Sequence, residues 1–351
     1  MSISSIKRLE LPPGDSGIPY VTPFLSGEII FIPCSNSATR LVVTAKETNN
    51  AFAIVGCGGT AGNPIGFHFH KEAHDVFLCL KGYVNVWAGK KCRTMSSGDF
   101  ASVPPGTIHQ YQIIGDYTEF VGLIVPGGWE EFFRFIGEPY SGPLFPLSDD
   151  RNVFAVLIPK LKAAAEKFDM IPQPHHPHFD PQPWESDDNS LPDGLEPYFL
   201  KNGSGPKFLV GGTLCRPLVT STQSAGRFSI ASIEGSSYHE ASLLGQGRTI
   251  SFEDVHHCFQ ISDGSMYFEV DGVGAHLATG ETLFIPSGSK FAFSYAGRFA
   301  KAYVFSNRGG LVELMSKLGE HYEPPLIPEH APGSNASKLS DLQTEVGFTL
   351  H

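Results

Sequence analysis

Three histidines stand at spacings that would let them bind one metal ion. His68 and His70 are separated by one residue in the run GFHFHKEAHDVF, and His109 closes the later turn PPGTIH. On a β-strand, residues i and i+2 face the same side, so the first two imidazoles can point into one cavity. A neighbouring antiparallel strand could bring His109 beside them. Three neutral imidazoles leave coordination positions open, which is typical of a catalytic metal site.

A lone HxH pair could equally be a polar pair on an exposed strand face, and the surrounding spacing decides between the two interpretations. Two segments resemble the two signatures of the cupin family, G-x5-H-x-H-x(3,4)-E-x6-G and G-x5-P-x-G-x2-H-x3-N. The matching residues are Gly62, His68, His70 and Gly82 in the first segment and Gly98, Pro104, Gly106 and His109 in the second. The combined pattern favours metal binding.

The fourth ligand is open on the sequence alone. The first signature expects a glutamate seven residues before its closing glycine, and Asp75 stands there. Because the Asp side chain is one methylene shorter, its carboxylate could fall short of the ion. His74 occupies the alternative spacing and is the rival ligand, with Glu72 as a weaker candidate. Ile113 replaces the final asparagine of the second signature.

The elements that must position these residues occur twice. Turn-forming residues recur at a constant offset of 182 residues, as in Gly82 and Gly264, Gly98 and Gly280, Pro104 and Pro286, Gly106 and Gly288. Such a register indicates a duplicated β domain. Strands are predicted over 76–89, 100–114 and 118–125, and helices over 129–137, 157–168 and 311–319. With the cupin resemblance, this predicts an all-β fold of two jelly-roll type β-barrel domains, with a few short helices and a long linker.

The predicted division of the chain has three segments. Residues 1–146 form an N-terminal cupin domain that carries the metal site, 147–205 form a linker with one helix, and 206–351 form a C-terminal cupin domain with a tail.

The second copy lacks the predicted ligands. The offset of 182 places Ile250, Phe252 and Phe291 where the first copy has its three histidines, so no metal is expected there. Two other groups remain as alternative metal sites: His256 with His257 in the second copy, and the linker histidines His175, His176 and His178.

Composition and charge argue against several classes of partner. The formal net charge is −11 and no basic stripe occurs, so a nucleic acid partner is not expected. No apolar run is long enough to span a membrane, and the first residues, MSISSIKRLELPPGDSG, lack the apolar run of a signal peptide. We therefore expect a cytoplasmic protein with reduced cysteines and no membrane partner, and a homodimer is one option for its assembly.

Beyond the signatures, the runs KGYVNVWAG (81–89) and TEFVGLIVPGGWEEFFRFIGEPY (118–140) resemble the fungal quercetin 2,3-dioxygenases, a bicupin family. The resemblance implies a metal bound by His68, His70, His109 and the carboxylate position, here Asp75. It also implies that this carboxylate takes the proton of a substrate hydroxyl before the reaction with O2. The implied cofactor is one divalent transition metal per chain, with copper or iron first and manganese, nickel or cobalt as alternatives.

The predicted function is that of a metal-dependent, quercetinase-like dioxygenase. It would cleave a small oxygenated aromatic substrate with O2, either flavonol-like or a phenolic or polyketide compound of secondary metabolism. Asp75 or His74 would act as the base. Phe77, Tyr111 and Phe69 would line an aromatic cavity, although ordinary core packing is the alternative role of each. The alternative function is a metal-dependent cupin enzyme that does not use O2, such as an isomerase, cyclase or lyase, on a similar substrate; a binding or storage bicupin is a third.

Overall fold

The computed structural model describes residues 5–142, 146, 149–239, 247–331 and 336–351. Strands hold 39% of the described residues and helices 14%, which confirms the predicted β-rich fold with few short helices. Within this described part of the chain four sheets form, of nine, eight, five and five strands. They make sandwich-like arrangements rather than the closed barrels expected, because the outermost strands of a sheet do not pair with one another.

The strands and helices have the following bounds in chain order. Before residue 26 the strands are β1 (Lys7–Arg8) and β2 (Tyr20–Thr22). Up to residue 204 the strands are β3 (Glu28–Phe31), β4 (Ser37–Val43), β5 (Ala53–Gly59), β6 (His68–Phe69), β7 (His74–Lys81), β8 (Val84–Ala88), β9 (Lys91–Met95), β10 (Phe100–Val103), β11 (His109–Ile113), β12 (Thr118–Val125), β13 (Glu138–Pro139), β14 (Ile171–Pro172) and β15 (Tyr198–Leu200). The helices of this stretch are α1 (Ala45–Thr48), α2 (Glu130–Ile136), α3 (Val153–Val156) and α4 (Ile158–Ala165), with a short 3-10 helix at Ser186–Asn189.

The remaining strands are β16 (Phe208–Val210), β17 (Thr213–Val219), β18 (Phe228–Gly235), β19 (Ile250–Ser251), β20 (His257–Asp263), β21 (Ser265–Val270), β22 (Val273–Ala278), β23 (Thr282–Ile285), β24 (Phe291–Tyr295), β25 (Ala300–Asn307), β26 (Glu320–His321) and β27 (Thr349–Leu350). Their helices are α5 (Gly310–Leu318) and α6 (Ala336–Val346). Within the described ranges, no helix is both long and apolar enough to cross a membrane.

The chain divides into two compact units, each with one long sheet and one five-stranded sheet. One unit is Ser26–Ser204, with the sheet orders β13-β3-β4-β5-β12-β7-β10-β15 and β14-β6-β11-β8-β9. The other joins the chain up to Leu25 to Gly205–His351, with the orders β1-β2-β23-β20-β25-β18-β17-β16-β26 and β22-β21-β24-β19-β27. The limit at Ser204 falls one residue from the predicted boundary at 205, whereas this division has a limit at Leu25 and none at 146. Residues 143–145 and 147–148, beside the first boundary, lie outside the described residues.

The two units repeat one another strand for strand. Strands β6, β11, β12 and β13 reappear 182 residues later as β19, β24, β25 and β26 with matching ends. Glycine is required at these turns because a side chain would clash with the backbone. A Cβ added to Gly82, whose φ is 71°, would lie 2.1 Å from the carbonyl oxygen of Tyr117, and one added to Gly264 would lie 2.5 Å from that of Phe299.

The segment predicted as a linker contributes strands to the first unit. Strand β14 pairs with β6, and β15 pairs with the edge strand β10. The second unit has equivalents of both, because β27 of the tail pairs with β19, and β2, which precedes the first copy, pairs with β23. Strands of two or three residues carry no readable alternation of apolar and polar residues, so the sequence showed these pairings only as an extended linker and a tail.

Candidate metal centre

The three predicted histidines meet inside the unit of residues 26–204. Strand β6 pairs with β11 so that His68 lies opposite His109, and His70 follows directly after β6. One ring nitrogen of each imidazole lies within 4.8 Å of those of the other two. His70 and His109 are buried at 3% and 1% exposure, while His68 is half-buried, so the cluster is more open on the His68 side.

Backbone carbonyls set the orientation of all three rings. His68 Nδ1 lies 2.9 Å from the carbonyl oxygen of Gly66, and His109 Nδ1 lies 2.9 Å from that of Thr107. His70 Nδ1 bonds the carbonyl oxygen of Asp169. A carbonyl oxygen only accepts, so each Nδ1 carries a proton, and in the neutral ring the lone pair is then on Nε2. This is the tautomer that a metal ligand needs.

The carboxylate of Asp75 reaches the cluster. Its Oδ2 lies 3.3 Å from His70 Nε2 and 3.4 Å from His109 Nε2. The side chain of His74 takes the opposite direction because successive residues of strand β7 face opposite sides. His74 is fully buried, with its Nε2 2.8 Å from the hydroxyl oxygen of Ser102. Glu72 is an exposed residue of the loop that precedes β7. The structure thus brings Asp75, and neither rival, beside His70 and His109, while the group whose ligand atoms all lie within 4.8 Å of one another consists of the three histidines.

The site combines an ionised carboxylate with at least one neutral imidazole at neutral pH. Burial alone raises the pKa of the Asp75 carboxyl, but His70 and His109 outweigh it and hold this pKa well below its usual range. Asp75 likewise raises the pKa of His70 against the effect of burial. Burial, with the charges of His109 and His70, lowers the pKa of His68 to about 3. A bound cation would further favour the unprotonated imidazoles.

The donor set fits a divalent transition metal. Imidazole nitrogen with one carboxylate oxygen suits zinc, copper, iron, nickel and related ions. Two of the converging atoms, His109 Nε2 and Asp75 Oδ1, are buried and have no hydrogen-bond partner among the described residues. Buried polar atoms are nearly always satisfied in native proteins, so these two atoms call for a partner such as a bound cation. The cluster is also the one group with metal-ligand spacing in the described part of the chain.

Two of the three predicted aromatic residues lie beside the cluster. Phe77, on the same face of β7 as Asp75, has its ring centre 6.4 Å from that of His109 and 5.9 Å from that of Tyr111. Phe120, which the sequence did not single out, completes the group at 5.0 Å from the Tyr111 ring. Phe69 lies between His68 and His70, so alternation turns its side chain to the other face of the sheet, while its backbone pairs with Ile171 of β14.

The equivalent place in the second unit is apolar. Ile250 lies opposite Phe291, as His68 lies opposite His109, and the Phe252 ring is stacked 6.4 Å from that of Phe291. The two histidines nearby have structural partners. His256 Nδ1 accepts from the Ser287 N–H at 3.1 Å, and His257 Nε2 accepts from the Leu311 N–H at 3.1 Å.

The linker histidines pack against the outside of the first unit. The ring of His176 contacts Phe67 with 4.5 Å between centres, and that of His178 lies 5.2 Å from Trp87, while His175 is exposed. Within the described residues these three do not form a group with metal-ligand spacing.

Two residues near His70 escaped the sequence analysis. Trp129, at the start of α2, packs edge-on against the His70 ring with 4.5 Å between centres. Asp169, from the predicted linker, holds the His70 Nδ1 proton and bonds the loop after His70. Trp129 lies in a run already quoted for its family resemblance, but no local pattern links Asp169 to a histidine so far back in the chain.

Comparison with known proteins agrees with this geometry. Residues 59–125, which span β6, Asp75 and β11, match the family model described as cupin domain. This part of the chain is therefore similar to a cupin domain. The cupin match thus covers all four converging side chains.

Two curated relatives share one name. The chain is 28% identical over 320 residues to quercetin 2,3-dioxygenase of Aspergillus japonicus, covering 82% of this chain and 89% of the relative. It is 34% identical over 154 residues to quercetin 2,3-dioxygenase of Bacillus subtilis, covering 44% of each. These relatives support an enzyme of the cupin type.

Solved structures show the same fold at low identity. The protein Ylba from E. coli matches with a TM-score of 0.50 at 12% identity, covering 84% of this chain and 92% of that one. An oxalate decarboxylase structure matches with a TM-score of 0.50 at 15% identity, covering 85% of this chain and 80% of that one. Both extend the likeness over most of the chain.

Proposed function

We propose that the protein is a metal-dependent dioxygenase that uses O2 to cleave an oxygenated aromatic substrate. The observation that carries the proposal is the convergence of three Nε2 atoms and one ionised carboxylate, in a chain that resembles quercetin 2,3-dioxygenase over most of its length. The same resemblance supplies the reaction class, since His-rich cupin geometry alone serves several chemistries.

Four side chains would hold the metal: His68, His70, His109 and Asp75. When bound, the ion would act as a Lewis acid on a substrate oxygen and supply the redox chemistry toward O2. The resemblance to quercetin 2,3-dioxygenases puts copper or iron first, with manganese, nickel and cobalt as alternatives, and this donor set is compatible with such ions. Each imidazole is fixed by its Nδ1 hydrogen bond, so the chain would need little rearrangement to bind the ion.

Asp75 would also act as the general base. Its carboxyl is ionised at neutral pH, and its Oδ1 makes no hydrogen bond within the described structure. A substrate hydroxyl placed beside the cluster could therefore pass its proton to Oδ1, while Oδ2 stays near His70 and His109. The side chain of His74 points toward Ser102, so it cannot share this role.

The aromatic side chains favour a flat, apolar substrate body. Phe77, Tyr111 and Phe120 form one group of tilted and edge-to-face rings next to His109 and are mostly shielded from water. Such a wall restricts water and provides contact area for an aromatic ring. Because Asp75 is one methylene shorter than glutamate, it leaves more room at the cluster, which favours a substrate other than quercetin. A phenolic or polyketide aromatic of secondary metabolism would fit; a cytoplasmic location and a homodimer stay predictions.

Oxygen consumption by the metal-loaded protein tests the proposal. Each of a panel of flavonols, anthraquinones and simpler phenols would be added in an oxygen electrode, with the product mass measured in 18O2. The proposal predicts O2 uptake equal to substrate loss and two labelled oxygen atoms in the product. His109→Ala should abolish turnover, whereas His276→Ala, an exposed histidine of the second unit, should leave it unchanged. Turnover without O2 would contradict the proposal and point to an isomerase, cyclase or lyase.

A further inference from the structure

Asp169 links a distant segment to the cluster through two kinds of bond. Its carbonyl oxygen accepts the Nδ1 proton of His70. Its carboxylate accepts the backbone N–H groups of Lys71, Glu72 and Ala73 at 2.7, 2.7 and 3.2 Å. Asp169 stands two residues before β14, which pairs with β6, so the strand pairing brings it to this place.

The four bonds act on both ends of one short loop. Residues 71–73 connect His70 to the start of β7, where Asp75 lies. The carbonyl of Asp169 fixes the ring of His70, which precedes the loop. Its carboxylate fixes the backbone of the loop, which leads to Asp75. Groups that orient ligands in this way normally set metal affinity without touching the metal.

The second unit provides an internal comparison. Ile171 pairs with Phe69 as Thr349 pairs with Ser251, so the residue equivalent to Asp169 is Gly347. Gly347 has a φ of 75° and its N–H bonds the Gln343 carbonyl. Phe252, which stands in place of His70, has no Nδ1 to orient. The carboxylate is present in the copy with imidazoles and missing from the copy without them.

We infer that Asp169 is a positioning residue of the metal centre, which couples docking of the β14 segment to metal affinity. The inference rests on the proposed metal centre. It goes further because it assigns a role to a residue outside the cupin signatures. Coupling of this kind is reciprocal: if the docked segment raises metal affinity, metal binding must stabilise the docked segment by the same free energy.

Cobalt(II) serves as the probe, because its affinity can be measured by competition with a chromophoric chelator independently of turnover. Asp169→Asn keeps the size and the backbone carbonyl but loses the charge, and Asp169→Gly copies the second unit. We expect each to lower the Co²⁺ affinity by about 10–100-fold. Asp193→Asn, an exposed carboxylate of the same segment, is the matched control and should stay near the wild-type affinity.

Hydrogen exchange on the wild-type protein gives a readout that needs no variant. Addition of Co²⁺ should slow exchange of the amides of 71–73 together with those of Met170 and Ile171. Two results would overturn the inference alone: unchanged Co²⁺ affinity in Asp169→Asn with a lower melting temperature, which marks a purely structural role, or no change in exchange on Co²⁺ binding. Failure of the wild-type protein to bind Co²⁺ or any other divalent transition metal would overturn the proposed function as well.

Discussion

His68 lies directly opposite His109 where strand β6 meets strand β11. The same pairing in the second unit sets Ile250 opposite Phe291. The backbone frame of the site therefore exists twice, and side-chain identity alone confines the imidazoles to one copy. Chemistry in this molecule depends on a few residues placed on a frame that serves equally well as an apolar core.

The first prediction concerns Asp75. Asp75→Asn removes the negative charge beside His70 and His109, so we expect turnover to fall by about 10²–10⁴-fold. Asp75→Glu keeps a carboxylate and should retain far more activity than the Asn variant. Steady-state kinetics of both metal-loaded variants checks this. Equal activity of Asp75→Asn and the wild type would show that Asp75 is not the base.

The second prediction separates His74 from Asp75. His74 is buried and bonds Ser102, so His74→Ala should lower the free energy of unfolding by about 1–3 kcal/mol through the lost hydrogen bond. Metal content should stay at the wild-type level. Denaturant unfolding and elemental analysis of the same preparation give the two values. Loss of metal from this variant, with the fold intact, would make His74 the fourth ligand.

The third prediction is a pH dependence of stability. Burial, with the neighbouring His256, lowers the pKa of His257 to about 3, below the ordinary value of about 6.5. Between these values the unfolded chain binds a proton that the folded chain does not, so stability falls as the pH falls. Uptake of this one proton lowers the free energy of unfolding by about 1.4 kcal/mol for each unit by which the pH falls.

His257→Gln tests this, because glutamine can still accept from the Leu311 N–H but does not titrate. Urea unfolding of the metal-free protein between pH 6 and 4.5 should show a slope smaller by about one proton in the variant. Identical slopes in the two proteins would mean that His257 is not the source of the proton uptake.

The fourth prediction concerns the anchoring of the segment once expected to be a linker. Arg93 is 1% exposed, and its Nε donates to Asp188 at 2.8 Å while its Nη2 donates to Glu185 at 3.0 Å. Arg93→Ala removes the main partner of the buried Asp188 carboxylate. It should lower the free energy of unfolding by about 3–5 kcal/mol. Lys91→Ala removes a half-exposed, more distant charge and should lower the free energy of unfolding by less than about 1 kcal/mol. A similar small loss in both variants would mean that the segment is held by other contacts.

The sequence was sufficient to predict those parts of the site that lie in segments with strong local periodicity. Alternation put His68 and His70 on one face, and the repeated turn glycines predicted the offset that the structure reproduces from β6 to β26. The choice between Asp75 and His74 needed the structure, because both spacings are allowed until the register of β7 is known. Strand alternation then decides it, since adjacent residues cannot share a face.

Longer-range features had no sequence signal. The pairing of Ile171 with Phe69 rests on a two-residue strand, and it brings Asp169 to His70 across 99 positions of chain. Phe69 was expected at the cavity, but the alternation that aligns the two imidazoles turns it away. A contact between distant segments decided the placement of Asp169, whereas strand alternation decided that of Phe69.

Metal content is the most direct test of the central claim, that three imidazoles of the first copy hold one ion. Elemental mass spectrometry should be run on the wild type, on His109→Ala and on His257→Gln, each purified without added metal and again after reconstitution with divalent transition metals. We predict about one equivalent per chain in the wild type and His257→Gln, and less than about a tenth in His109→Ala. Less than a tenth in the reconstituted wild type, or full retention in His109→Ala, would contradict the claim.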